Sequence, residues 1–237
     1  ASGVYVQFCI DVHRKEQTEP SGNTIGLDVG LKEYYTDSNG VMVENPRFLR
    51  KGEKVLKRSQ RRVSRKVKSS KNRGKARQLL GKRHLKISRQ RKDHAIKLAR
   101  CVVQSNDLIA YEDLRIKNMV KNHCLAKSIN DASWYQFRIW IEYFAKVFGK
   151  VTVAVNPQYT SQECSSCGEI VKKTLSTRTH VCQCGYTLDR DFNAARNILS
   201  RGLATVGHTG SFALDASNAL GDESSTFAGE IMHQQVM

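Results

Sequence analysis

Ile25-Gly26-Leu27-Asp28-Val29-Gly30 decides how the rest of the chain is read. From Thr24 to Tyr35 the residues read as one buried strand, and an aspartate stands in its apolar centre. A charge placed there loses hydration at high cost unless a metal or a partner offsets the loss. Two further acids stand at element ends. Glu112 closes the short strand Asp107-Leu108-Ile109-Ala110-Tyr111-Glu112, and Asp191 opens a helix that runs to Arg201, where an acid suits the N-terminal dipole. Three carboxylates meeting at strand ends can hold two Mg2+ or Mn2+ ions, which activate water and stabilise the leaving oxygen of a phosphodiester. Each acid also has a plainer reading: Asp191 as a helix cap, Glu112 as a solvated strand end, Asp28 as an oddity. Sequence spacing alone leaves both readings open.

Outward from these acids the chain alternates strands and helices. Ser38-Asn39-Gly40 is a hairpin turn signal before a returning strand, Val41-Met42-Val43. Glu53 to Lys68 contains no helix breaker and reads as a helix. Ser69 to Gly74 reads as a turn, and Lys75 to about Gln104 as a second, long helix. Residues 113–130 read as a basic loop. Asp131 is placed to cap a helix reaching Phe148, whose apolar stripe is Trp134, Phe137, Ile141, Phe144 and Phe148, with Gly149 ending it. Val151 to Val155 is a strand stopped by Asn156-Pro157, and Gly202 is expected to end the last helix. Residues 1–12 read as a strand, and the Gly-, Ser- and Ala-rich stretch 202–237 as a flexible tail.

Cys164-x-x-Cys167 and Cys182-x-Cys184 are two local pairs separated by 14 residues, each followed at once by a glycine. Four thiolates arranged this way can close a tetrahedral, structural zinc site. The second pair is one residue shorter than the usual C-x-x-C, and His180 is near enough to be a substitute ligand. Seven cysteines, an odd number, suit a metal site in the reducing cytoplasm better than a disulfide framework.

The chain has 237 residues and a formal net charge of +17. Between Arg47 and Arg100 there are 23 Lys and Arg against only Glu53 and Asp93, so the remaining 16 bases and 20 acids form a mildly acidic body. So concentrated a charge calls for a polyanion held along it. Candidate nucleic-acid contacts are Lys57, Arg58, Arg61, Arg62, Arg65, Lys66, Arg73, Lys75, Arg77, Lys82, Arg83, Lys86 and Arg89. Aromatic residues are nearly absent there, so the insert fits tracking of duplex phosphates better than stacking on single-stranded bases. No phosphate-binding G-x-x-x-x-G-K-[ST] loop and no H-E-x-x-H is present, which argues against an ATP-driven motor and a zinc hydrolase. No apolar run is long enough to span a membrane.

Taken together, these stretches resemble the TnpB (OrfB) family of transposon-encoded nucleases, relatives of type V CRISPR effectors. The resemblance rests on Ile25 to Lys32, on Ala110-Tyr111-Glu112-Asp113-Leu114, on Cys164-Ser165-Ser166-Cys167-Gly168, and on Asp189-Arg190-Asp191-Phe192-Asn193-Ala194-Ala195-Arg196-Asn197-Ile198. It implies an α/β, RNase H-like (RuvC) mixed sheet with flanking helices, split in sequence. Its first part would be 13–159 with a basic helical-hairpin insert at 47–105, followed by an inserted zinc ribbon at 160–188 and a last helix at 189–201. It also implies that Asp28, Glu112 and Asp191 are the catalytic carboxylates and hold Mg2+ or Mn2+, with Asp189 outside that set. The partners implied are a guide RNA and DNA, the insert lying along their duplex. Family members carry wedge and recognition regions upstream, of which residues 1–12 would be a remnant. Two functions are therefore expected: an RNA-guided DNA endonuclease, or a non-catalytic nucleic-acid-binding fragment of a decayed transposase. The oligomeric state is not legible.

Overall fold

The computed structural model describes residues 14–208 apart from 17, 175 and 176. The strand expected at 1–12 and most of the expected tail lie outside the described residues. One compact unit of the chain runs through Thr205 and a second begins at Val206.

Thr24 to Tyr35 holds two strands rather than one. β1 (Thr24–Val29) and β2 (Glu33–Asp37) are joined by a reversal in which the Gly30 amide donates to the Tyr34 carbonyl at 3.2 Å. The Ser38-Asn39-Gly40 turn forms as expected. Asp37 Oδ1 accepts from the amides of Asn39 and Val41, both at 2.9 Å, and Gly40 takes φ +86°. β3 (Met42–Glu44) returns, β4 spans Leu108–Glu112 and β5 spans Val151–Val155. The sheet order is β3-β2-β1-β4-β5, antiparallel on the β1–β2–β3 side and parallel from β1 through β4 to β5. A mixed α/β sheet was the expectation, and it is the finding.

Side-chain alternation divides the sheet. Ile25, Leu27, Ile109 and Tyr111 join the main core with α2 (Lys71–Ser105) and α5 (Trp134–Phe148). All five residues of the predicted α5 stripe are buried, and Gly149 ends that helix at φ +67°. Each large apolar side chain so buried contributes about 1.5–3 kcal/mol before entropy is counted. Ala95 and Ala99 are fully buried on α2, and side chains this short let the helix settle close to its neighbours.

α1 (Phe48–Ser64) folds back on the first half of α2. Gly52 faces Ile87, where a Cβ would stand 2.8 Å from Ile87 Cδ1. The second helix begins at Lys71, earlier than expected, because Ser70 caps it by accepting from the Arg73 amide at 3.1 Å. Gly74 therefore lies inside the helix. Residues 113–130 are not a simple loop either. They contain α3 (Ile116–Met119) and most of α4 (His123–Ala132). Asp131 does not cap α5. It sits buried in the last turn of α4 and accepts from the amides of Leu49 (2.7 Å) and Arg50 (3.1 Å), so it caps α1 instead.

Beyond β5 come the hairpin β6 (Thr179–Val181) and β7 (Thr187–Asp189), then α6 (Arg190–His208). Gly202 lies within α6 and does not end it, for a packing reason that also builds the site.

Candidate active site

β1 and β4 run parallel with Gly26 beside Ala110 and Leu27 beside Tyr111, so Asp28 and Glu112 are the next step of the same register. Residues 26 and 28 share one face, as do 110 and 112, and it is the face opposite the α2–α5 core. α6 lies across that second face. A Cβ on Gly26 would stand 2.3 Å from the Ala195 carbonyl oxygen and 2.7 Å from the Leu199 amide nitrogen. A Cβ on Gly202 would stand 2.6 Å from Ala110 Cβ and 3.9 Å from Val153 Cβ. Gly26, Ala110 and Val153 form one row across three neighbouring strands. The helix thus crosses the strands over a row of small residues, and its first turn carries Asp191 to the edge where Asp28 and Glu112 project.

The electrostatics agree with that placement. The Asp28 carboxyl is pushed well above the usual carboxylate range, first by burial and then by the charges of Glu112 and Asp191. Glu112 is also raised by burial, against the opposing pull of the Thr160 hydroxyl and Arg201. Asp191 pairs with Arg190 (2.8 Å) and Arg178 (3.3 Å). Asp189 instead caps α6, its Oδ1 accepting from the amides of Asp191 (2.9 Å) and Phe192 (3.3 Å). The cap reading considered for Asp191 therefore belongs to Asp189. Three clustered carboxylates are a donor set suited to a hard divalent cation.

The four cysteines also converge. Cys164 and Cys184 Sγ are 3.9 Å apart, Cys167 and Cys182 Sγ 3.5 Å, and all four sulfurs lie within 4.8 Å of one another. A tetrahedron of thiolates at Zn–S of about 2.3 Å has edges of about 3.8 Å, so the cluster could hold a structural metal. Gly168 (φ +80°) and Gly185 (φ +85°) donate their amides to the carbonyls of Cys164 (2.9 Å) and Cys182 (3.0 Å), closing two tight knuckles. The short C-x-C pair closes as well as the longer one. The converging group is the four cysteines; His180 lies beside it, its buried ring interacting with Cys164 and its Nδ1 contacting Lys173 Nζ.

Two family models match the chain. OrfB_IS605, probable transposase, matches residues 7–123, and the Cas12f1-like TNB domain matches residues 134–198. The chain belongs to the TnpB/OrfB family. Among its relatives, a putative RNA-guided DNA endonuclease of Streptomyces pristinaespiralis is 39% identical over 76% of this chain and 45% of its own length. The putative RNA-guided DNA endonuclease InsQ of Escherichia coli (strain K12) is 34% identical over 85% of this chain and 54% of its own. The chain thus spans about half the length of these curated relatives. In fold it is similar to Cas12f1 in a cryo-EM Cas12f1-sgRNA-target DNA complex, with a TM-score of 0.55 at 18% identity over 80% of this chain and 51% of that one. The mixed sheet is the RuvC-like sheet of the TnpB/OrfB family.

In this TnpB-family chain the candidate nucleic-acid residues sort into two groups. Lys57, Arg58, Arg61, Arg62, Arg65, Lys66, Lys75, Arg77, Lys82, Lys86 and Arg89 are exposed along the α1–α2 hairpin. Arg73 and Arg83 are half-buried and hold the hairpin itself: Arg73 donates to the Lys66 carbonyl (3.1 Å), and Arg83 to Ser59 Oγ and the Val55 carbonyl (3.2 Å). No helix among the described residues is long and apolar enough to cross a membrane.

Four further residues support the site: Thr160, which has no sequence signal, Asn193 and Asn197, which belong to the Asp189–Ile198 motif without an expected role, and Arg201. Thr160 Oγ1 donates to Glu112 Oε1 at 2.5 Å. Asn193, Asn197 and Arg201 form an i, i+4, i+8 stripe on α6 that binds the loop between β5 and the cysteines. Two asparagines at that spacing in an otherwise apolar helix face were the visible signal.

Proposed function

We propose that this chain is the nuclease portion of an RNA-guided DNA endonuclease, cutting DNA phosphodiester bonds where Asp28, Glu112 and Asp191 hold Mg2+ or Mn2+. The observation that supports it best is the convergence of the three acids: two by strand register, the third by α6 crossing Gly26. Burial and, after it, the charges of Glu112 and Asp191 raise Asp28 above its ordinary range, which supports divalent cations as the neutralising partners. Such ions, when bound, would activate water and stabilise the leaving oxygen. The protein's own part is to hold the donor oxygens at a rim that a nucleic-acid strand can reach. Asp189 keeps α6 capped, and Arg190 and Arg178 hold the Asp191 carboxylate in place.

The exposed bases of the α1–α2 hairpin would hold a guide-RNA–DNA duplex by its backbone, leaving sequence to be read by base pairing. Cys164, Cys167, Cys182 and Cys184 would hold zinc, whose contribution is to close the ribbon rather than to react. The test is cleavage of single-stranded DNA with Mg2+ or Mn2+, with Asp191→Ala as control. Cleavage by the wild type and its loss in the variant are expected. Equal survival of the DNA with both proteins overturns the enzyme reading and favours a binding protein without catalysis.

A further inference from the structure

We propose that Thr160 is a positioning residue for Glu112, and that it ties this carboxylate to α6, the helix that carries Asp191. The inference rests on the reading of Glu112 as a ligand for a divalent cation.

Glu112 is the last residue of β4, so its backbone is held by the sheet while its side chain reaches past the strand end. Among the hydrogen bonds of the described residues, the one that fixes this carboxylate comes from Thr160 Oγ1 to Oε1 at 2.5 Å. Thr160 is itself buried, at 4% exposure, so its hydroxyl does not turn to solvent; the second acceptor within its reach is the Pro157 carbonyl at 3.2 Å, farther than Glu112 Oε1. Its main chain is held from one direction. Asn197 Nδ2 donates to the Thr160 carbonyl at 2.9 Å, and Arg201 Nη1 donates to the carbonyls of Asn156 (2.9 Å) and Gln158 (2.7 Å). Tyr159, between them, sits in the left-handed region at φ +63°, an uncommon conformation for a residue with a bulky side chain.

Asn197 and Arg201 lie six and ten residues along α6 from Asp191, so one helix sets both Asp191 and, through Thr160, the Glu112 oxygen. Beside Glu112 stand Asp28 on β1, which repels it, and Arg201 on α6, which attracts it. Asp28 thus pushes this carboxylate away while Arg201 draws it, and a fixed donor sets the rotamer it adopts between them. With Oε1 committed to Thr160, Oε2 remains available to a cation.

Thr160→Val keeps the shape and removes the hydroxyl; Thr160→Ser keeps the hydroxyl. Mn2+ affinity is measured on the full chain by isothermal titration calorimetry, beside zinc content as a check on the ribbon. Thr160→Val is expected to weaken Mn2+ binding about tenfold with zinc content unchanged, and Thr160→Ser to restore it to within about twofold. If Thr160→Val does not fold, Thr160→Ala removes the same hydroxyl without bulk and is held to the same expectation. Unchanged Mn2+ affinity in the hydroxyl-free variant, or a weakened affinity that serine does not restore, overturns the role of Thr160. Failure of the underlying reading looks different: wild type then shows no Mn2+ binding that Asp191→Ala abolishes.

Discussion

Gly26 and Ala195 touch backbone to backbone: a side chain on Gly26 would begin 2.3 Å from the Ala195 carbonyl oxygen. Neither partner can turn away, because one is a strand and the other a helix main chain. Gly26→Ala should therefore lift α6 off the sheet, costing roughly 1–3 kcal/mol or more of stability and separating Asp191 from Asp28. Gly81→Ala is the control. Gly81 lies in α2 with nothing within 4 Å of its would-be Cβ, and alanine there should stabilise by about 0.5–1 kcal/mol. Urea denaturation of both variants checks the pair; equal effects would remove the close approach as the explanation of how α6 is seated.

Asp28 should make the protein less stable at neutral pH when divalent ions are absent. Its folded carboxyl titrates well above the ordinary range, chiefly through burial, whereas the unfolded one titrates at about 3.9. Between those values the native state binds more protons than the unfolded state, so the contribution of Asp28 to stability falls as pH rises. Asp28→Asn should thus melt higher than wild type at pH 7.5 without metal, by about 2–4 °C per kcal/mol relieved. The difference should shrink toward pH 4. Mn2+ should raise the melting temperature of wild type and not of the variant. Thermal melts at the two pH values, with and without Mn2+, test this; a variant that melts lower than wild type at pH 7.5 without metal contradicts it.

Asp131 should stabilise α1 from 82 residues away. Arg47, the residue before α1, offers no side-chain cap, and the Leu49 and Arg50 amides are satisfied by Asp131. Asp131→Ala should cost about 0.5–2 kcal/mol, toward the upper end because the acceptor is buried and charged. The loss should appear as faster amide exchange in the first turn of α1, with the amides of α5 unaffected.

Removing the ribbon metal should unfold the ribbon and leave the sheet standing, since the core of α2, α5 and the strands contains none of the four cysteines. Protein purified without chelator should carry about one equivalent of zinc, and Cys182→Ser should carry far less. Elemental analysis showing under about half an equivalent in wild type sinks the zinc assignment.

These relationships were unequally visible in the residues. The α5 stripe, β4, β5 and the Ser38–Gly40 turn were legible because each is decided within a few residues by periodicity or turn chemistry. Asp131 was misassigned because a cap is recognised by its nearest helix in sequence, and here the helix it serves is nearest only in space. Gly202 looks like a stop signal and is a packing device; what distinguishes the two is Ala110, on another strand. The acids were legible as types, since a carboxylate in an apolar strand demands an explanation, but their convergence needed the β1–β4 register. Thr160 carried no signal of its own, because a threonine in a polar loop is ordinary until its hydroxyl is seen to end on Glu112.

The crossing of α6 over three strands has a last consequence, for what lengths this chain tolerates. The helix is keyed to the sheet at two points, Ala195 above Gly26 and Gly202 above Ala110. One residue inserted between Asp191 and Ala195 would leave both keys seated and swing Asp191 by about 100° around the axis. The fold would survive and the carboxylate would point elsewhere. An extra residue in the turn between α1 and α2 disturbs no such phase and adds only a little loop entropy. Length variation among sequences of this kind should therefore collect in the hairpin turn and be excluded from Asp191 to Gly202.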